Sequence, residues 1–322
     1  MVQTYHWSQF SNLNELIEKK EKSGEKISVV LPTLNEEDTI FEVINTIKVE
    51  LMEKVPLIDE IGIIDSGSKD KTKEIAKSLG AKVYNASKYL TEYGNYSGKG
   101  DNLWKALYLF KGDIIVYLDA DIKNFHPKFI YGLIGPLLLN KEIKFVKAFY
   151  KRPLILDGKT IENEGGRVTE ILVKPMINLF FPELMPIIQP LSGEYAGKRD
   201  LLEKLPFFPG YGVEIGILLE IFYKYGLEVI AQVDMDRRVH RNRKLLELRQ
   251  MAFEILQVFV LYLKKRGILH LANCSPLLKD QNDHPFRDAM TSFYPRPPIY
   301  LIKEYRERFH KVISDVYNSK NI

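Results

Sequence analysis

The stretch Ile27-Ser28-Val29-Val30-Leu31-Pro32-Thr33-Leu34-Asn35-Glu36-Glu37-Asp38 decides the fold. Its first five residues are a short, largely β-branched apolar run, and Pro32, with no N–H to give a sheet ladder, predicts the end of a strand. Past the loop, Ile40, Val43, Ile44, Ile47 and Leu51 recur at helical spacing, while Glu36, Glu37 and Asp38 place negative charge where a helix N-terminus favours it. The same strand, loop, helix grammar returns at 60–65 with 71–79, then at 81–84. It appears again in a helix over 99–110, with Leu103, Leu107 and Phe110 on one face, that leads into a strand over 113–119. Such alternation predicts an α/β, Rossmann-like fold: a mostly parallel sheet flanked by helices, with ligands beyond the carboxyl ends of the strands.

Outward from this core, composition narrows the classes. The chain has 322 residues, 45% hydrophobic and 27% charged, which excludes disordered and collagen-like proteins. Lys plus Arg (46) against Asp plus Glu (42) leaves +4. That balance announces neither a nucleic-acid nor a membrane surface but is compatible with a small anionic substrate. Cys274 is the single cysteine and has no internal disulfide partner. Residues 1–10 lack the pattern of a secretory signal, and the most apolar stretches, 131–139 and 252–263, are shorter than the roughly 20 residues a spanning helix needs. A cytoplasmic protein without a transmembrane segment is the expectation.

After about Tyr150 the alternation loosens. A Gly- and Pro-rich region containing Gly165-Gly166, Pro175, Pro182, Pro186 and Pro190 gives way to helices over 212–225 and 245–263, a C-terminal helical extension of the same unit. The tail over 292–322 carries Pro295, Pro297 and Pro298 and then a Lys/Arg-rich helix, the pattern of a solvated packing arm.

Polar residues just past the strand ends are the site candidates. Asp119-Ala120-Asp121 leaves an apolar strand, and two carboxylates so spaced suit Mg²⁺ or Mn²⁺, hard ions that bridge protein carboxylates to phosphates. Asp65-Ser66-Gly67-Ser68 serves either as a helix cap or as a nucleobase or ribose contact. Gly98-Lys99-Gly100 places an ammonium between two flexible residues at a helix start. Gly165-Gly166-Arg167-Val168-Thr169 joins a glycine turn, a guanidinium and a hydroxyl at a helix start, a combination that receives phosphates and carboxylates; the alternative is a glycine turn beside a surface Arg. Glu214, after Tyr211-Gly212-Val213, is a first-turn acid whose importance depends on burial. His240, in His240-Arg241-Asn242-Arg243, is a metal-ligand candidate in a run too polar for core.

Taken together, the segments Leu31 to Glu37, Asp65 to Ser68, Gly98 to Gly100 and Asp119 to Asp121 resemble the nucleotide-sugar domain of GT-A glycosyltransferases. Phe149-Tyr150-Lys151-Arg152-Pro153, Gly165-Gly166-Arg167-Val168-Thr169-Glu170, Gln189-Pro190-Leu191-Ser192-Gly193-Glu194-Tyr195-Ala196-Gly197, Pro209-Gly210-Tyr211-Gly212-Val213-Glu214-Ile215-Gly216 and His240-Arg241-Asn242-Arg243 narrow this to the glucosyl-3-phosphoglycerate synthase family, across roughly residues 27 to 265. The resemblance implies a Mg²⁺-dependent (or Mn²⁺-dependent) homodimer. Its activity would be the transfer, with retention, of glucose from a nucleoside diphosphate glucose, UDP-glucose first among them, to the 2-hydroxyl of 3-phosphoglycerate.

The resemblance also assigns roles. Pro32, Thr33, Leu34, Glu36, Ser66, Lys99, Asp119, Tyr211 and Glu214 would bind the nucleotide sugar, and Gly166, Arg167, Thr169 and Asn242 the acceptor. Asp121 and His240 would hold the metal, and Asp119, Asp121 and Glu214 would be catalytic. The chain then divides into an N-terminal extension (1–26), a nucleotide-sugar-binding part (27–150), an acceptor-binding part (151–265) and a C-terminal arm (266–322). Thr33 stands where Ala is expected and Ala120 where Ser is expected; both bear on donor identity more than on reaction class. Front-face attack, in which the departing phosphate oxygen takes the acceptor's proton, needs no base; a covalent route would need a carboxylate such as Glu214. An inverting polyprenyl-phosphate transferase would carry apolar anchors, and a non-catalytic nucleotide-sugar sensor would tolerate loss of the metal ligands. The residues favour neither.

Overall fold

A computed structural model of the chain describes residues 2–94, 96, 98–156, 159–161, 165–239, 245–270 and 294–310, with backbone alone for 154–156, 159–160 and 246–247. The strands in chain order are β1 (Gln3–His6), β2 (Ile27–Thr33), β3 (Glu60–Asp65), β4 (Lys82–Asn85), β5 (Ile114–Tyr117), β6 (Phe145–Lys151), β7 (Leu154–Leu156), β8 (Lys159–Ile161), β9 (Tyr195–Lys198) and β10 (Ile230–Arg237). The helices are α1 (Leu13–Ser23), α2 (Glu37–Lys48), α3 (Thr72–Ser78), α4 (Lys99–Leu109), α5 (Lys128–Leu139), α6 (Lys174–Phe180), α7 (Arg199–Leu202), α8 (Val213–Tyr225), α9 (Leu245–Lys265) and α10 (Lys303–Phe309). Eight strands form one sheet in the order β1-β10-β6-β9-β5-β2-β3-β4, and β7 with β8 makes a separate hairpin. Within the eight-stranded sheet pairing is parallel except for β9, which runs antiparallel between β5 and β6.

Burial on both faces explains why the strands read as apolar runs. On β5, Ile115 and Tyr117 enter one hydrophobic cluster with Trp104, Phe110 and Phe208, while Ile114 and Val116 enter the other with Val29, Ile44 and Phe129. That is the period-two alternation of a sheet sandwiched between helical layers. Glu37 and Asp38 occupy the first turn of α2, as the charge pattern predicted.

Three features depart from the sequence reading. First, β2 does not stop at Pro32: Pro32 pairs in register with Ile64 and Thr33 with Asp65. The O of Val30 accepts from Leu118 N, so alternation turns the missing N–H of Pro32 toward β5, beyond the last β2–β5 pair, where no ladder bond is lost. Second, the N-terminal stretch supplies the edge strand β1, paired with β10, although four half-polar residues carry too little pattern to be recognised. Third, the C-terminal arm is packed rather than solvated: Ile299, Ile302 and Tyr305 are buried, and Arg296 is 2% exposed. Arg296 pairs with the buried Asp101 of α4 at 2.6 Å and donates to the carbonyls of Tyr93 and Gly94. No described helix is long and apolar enough to cross a membrane.

Candidate functional site

The carboxyl ends of β2, β3 and β5 open on one edge of the sheet, where the loops after them converge. At the end of β3, Asp65 is fully buried and organises the turn rather than capping α3. Its carboxylate accepts from Gly67 N (3.0 Å), Ser68 N (2.8 Å) and Thr33 Oγ1 (3.1 Å). Ser66 is exposed on that turn, and its Oγ accepts from Asn102 Nδ2 of α4 at 2.8 Å. Leu34 is 54% exposed, and Asn35 adopts a positive φ of 58° that reverses the chain into Glu36 at the start of α2.

Lys99 opens α4 and lies between two acids. Its Nζ is 2.5 Å from Asp119 Oδ1 and 2.9 Å from Glu214 Oε1. Burial works against the ammonium, but the two carboxylates outweigh it and raise its pKa above the ordinary lysine value. The paired carboxylates thus favour the charged form of the lysine. Glu214 is 5% exposed, which answers the condition set by its sequence position: it is a buried acid in the first turn of α8. Gly98 and Gly100 serve close packing. A Cβ on Gly100 would lie 1.7 Å from the carbonyl oxygen of Phe208, so α4 sits directly on the turn that carries Tyr211.

Arg238, just past β10, completes the charge cluster. It reaches Asp121 Oδ1 at 2.8 Å, Asp119 Oδ2 at 3.1 Å and Glu194 Oε1 at 3.0 Å. Glu194 is fully buried; desolvation raises its pKa, an effect Arg238 opposes. Its other carboxylate oxygen accepts from Tyr150 OH, and Arg152 donates to the same hydroxyl at 2.8 Å. Beyond this network, Gly165 N donates to the carbonyl of Arg152 at 3.0 Å, Gly166 has a positive φ of 77°, and the helix that begins at Arg167 passes through one π-helical turn, Thr169–Val173, before α6.

One cavity gathers much of the sequence-based set: Lys99, Asp119, Asp121, Gly166, Arg167, Thr169, Tyr211 and Glu214 all line it. Pro32, Thr33, Leu34, Glu36 and Ser66 lie on the neighbouring strand ends rather than on its wall. His240 and Asn242 fall outside the described residues. Arg152, Leu191 and Arg238 also line the cavity and were given no role from the sequence. Arg238 sits in a run of cations, Arg237-Arg238-Val239-His240-Arg241, in which no single member stands out. Among the described residues no three His, Cys, Asp or Glu side chains gather as a metal cage.

Residues 28–155 match the family described as Glycosyl transferase family 2. The chain is 51% identical over 316 residues to the glucosyl-3-phosphoglycerate synthase of Petrotoga mobilis, covering 97% of each chain. Its fold superimposes on that of Mycobacterium tuberculosis glucosyl-3-phosphoglycerate synthase, solved with Mn²⁺, UDP-glucose and phosphoglyceric acid, with a TM-score of 0.81 and 39% identity, covering 94% of this chain and 99% of that one. It is also similar to mannosyl-3-phosphoglycerate synthase of Rubrobacter xylanophilus, with a TM-score of 0.82 and 36% identity over 93% of this chain and 96% of the other. At 97% coverage the Petrotoga likeness extends well beyond residues 27–265, the segment over which the motifs are legible. The chain belongs to the glucosyl-3-phosphoglycerate synthase family of GT-A-fold glycosyltransferases.

Proposed function

We propose that the protein transfers glucose, with retention, from a nucleoside diphosphate glucose, UDP-glucose first, to the 2-hydroxyl of 3-phosphoglycerate. The observation that carries this reading is the single cavity that places Lys99, Asp119, Asp121, Glu214 and Arg238 beside the Gly166–Arg167–Thr169 helix start. The first group meets a diphosphate and its sugar, the second an acceptor that carries a phosphate and a separate carboxylate. Donor contacts would come from the part over 27–150 together with Tyr211 and Glu214, and acceptor contacts from Gly166, Arg167, Thr169 and Asn242.

A divalent cation, Mg²⁺ or Mn²⁺, fits the donor set. Asp119 and Asp121 present hard oxygens about a quarter exposed on the cavity wall, at 26% and 24%. A site with few protein ligands suits an ion that completes its shell from substrate phosphates. Asp121 and His240 would hold it, and when bound it would supply charge stabilisation at the leaving diphosphate. Lys99 and Arg238 add fixed positive charge at the same place, which favours the transition state in which the diphosphate departs. Glu214, tied to Lys99, orients the sugar side, and the departing phosphate oxygen takes the acceptor's proton without a separate base.

The test is incubation with UDP-, GDP- or ADP-glucose and 3-phosphoglycerate in Mg²⁺ or Mn²⁺, with product mass and anomeric configuration as the readout. An α-glucosylated 3-phosphoglycerate is expected; no transfer from any of the three donors overturns the reading. GDP-mannose belongs in the same assay, because a similar fold carries the name of a mannosyl enzyme. Light scattering tests the homodimer that the resemblance implies.

A further inference from the structure

Arg152 lies against the acceptor-side turn. A Cβ on Gly165 would be 2.4 Å from the Cβ of Arg152, and one on Gly166 would be 3.9 Å from its Cδ and 4.0 Å from its Nη1. The Gly-Gly turn is thus folded directly on this arginine, which lines the same cavity as Arg167 and Thr169. Its Nε is buried and has no hydrogen-bond partner among the described residues, while its Nη2 is fixed by Tyr150 OH at 2.8 Å. A buried donor without a partner beside a cluster of anion-binding elements points to a ligand oxygen.

The hydroxyl that fixes Arg152 also donates to Glu194, and Glu194 faces Arg238 at 3.0 Å. One buried carboxylate therefore anchors two guanidiniums, Arg238 toward the Asp119 and Asp121 pair and Arg152 toward the glycine turn. Burial and Glu194 hold the Tyr150 phenol above its ordinary pKa despite Arg152, so it remains a donor. A buried carboxylate is costly, and apolar packing of the same volume would stabilise the fold as well or better.

We propose that Arg152 is a further contact for the acceptor's anionic group and that Glu194, paired directly with Arg238 and reaching Arg152 through Tyr150, is the positioning residue that fixes the two arginines relative to each other, one on the acceptor side and one on the donor side. This rests on the acceptor reading above. It predicts a divided effect that a merely structural role would not produce.

Tyr150→Phe removes only the hydroxyl: KM for 3-phosphoglycerate should rise about tenfold, the worth of one hydrogen bond to a charged group, with donor KM within about twofold of wild type. Arg152→Ala should raise acceptor KM further and recover in part with added guanidinium. Glu194→Gln should raise both KM values, because both arginines lose their anchor. Calorimetric titration of 3-phosphoglycerate into wild type and Arg152→Ala, with thermal melts as a folding check, separates the outcomes. If wild type does not bind 3-phosphoglycerate, the proposed function fails. If wild type binds it and Arg152→Ala binds it equally well, or if Tyr150→Phe moves donor and acceptor KM alike, this inference fails and the function stands. Should Glu194→Gln not fold, Tyr150→Phe and Arg152→Ala decide alone.

Discussion

The backbone at Gly193 passes so close to Asp119 that a Cβ there would lie 2.3 Å from Oδ2 of Asp119 and 2.5 Å from Lys99 Nζ. The tight fit of the turn before β9 thus sets the position of the Asp119–Lys99 pair. Gly193→Ala should displace that pair by several tenths of an ångström or more. A misplacement on this scale is expected to lower kcat/KM by up to about 10²-fold. The backbone dihedral at Gly193 is not positive, so strain is not the cause. Wild-type turnover in the alanine variant would show that the turn yields without moving the pair.

Asp121→Ala and His240→Ala should each abolish most turnover while leaving the fold intact, since removing a cation ligand removes several kcal/mol of charge stabilisation at the leaving diphosphate. Asp121→Ala has a second effect: Arg238 loses its partner at 2.8 Å. Initial rates across a titration of Mn²⁺ or Mg²⁺ check the point. Activity within a fewfold of wild type at limiting cation rejects the site as assigned.

Arg167→Ala should leave nucleotide-sugar affinity nearly unchanged and weaken 3-phosphoglycerate by about 2 to 5 kcal/mol, the range for losing one partner of a hydrogen-bonded charge pair. Arg167→Lys should rescue poorly because an ammonium lacks the planar fork. Calorimetry of both ligands reads this out, and a loss confined to the donor would move the Gly166–Arg167 element to the other half of the site.

Lys147 of β6, 1% exposed, is driven down to about 7 by burial, which Glu214 and Glu194 only partly offset. An unfolded lysine titrates near 10.4, so between about pH 7 and 10 the unfolded chain holds a proton that the folded chain lacks, and this residue makes stability rise with pH. Below about pH 7 the penalty is fully present. Lys147→Met should therefore gain most, relative to wild type, near pH 6.5, with the difference drifting toward wild type as pH rises to 10. The loss of the bond to Ser192 O, 2.8 Å, shifts the whole curve but not its slope. Urea melts at three pH values decide it; a pH-independent difference contradicts the assignment.

Arg296→Met should destabilise the protein by about 3 to 5 kcal/mol, because Asp101, fully buried, keeps Lys105 at 2.8 Å but loses the guanidinium at 2.6 Å. Denaturant unfolding measures the cost. A change below about 1 kcal/mol would mean that the C-terminal arm contributes little to holding α4.

By itself the sequence determined the alternating core and the strand ends that carry the site. β3 was legible to its last residue because both of its faces are buried, so that Ile61, Ile63 and Ile64 all read as apolar before the chain reaches Asp65. Helix α8 was legible because its start follows two glycines and its interior is apolar. Tertiary structure decided the rest. Strand β9, Tyr-Ala-Gly-Lys, has almost no strand signal of its own, and its place comes from ladder bonds to β5 and β6, both distant in sequence. Arg238 and Arg296 resembled ordinary surface cations because charge in a sequence carries no depth. Only the closing of the sheet brings Arg238 against Glu194 and the Asp119 and Asp121 pair, and only the docking of the arm brings Arg296 against Asp101. Hydrophobic period is a local property that survives in the sequence, whereas the partner of a buried charge is fixed by whichever remote element packs beside it.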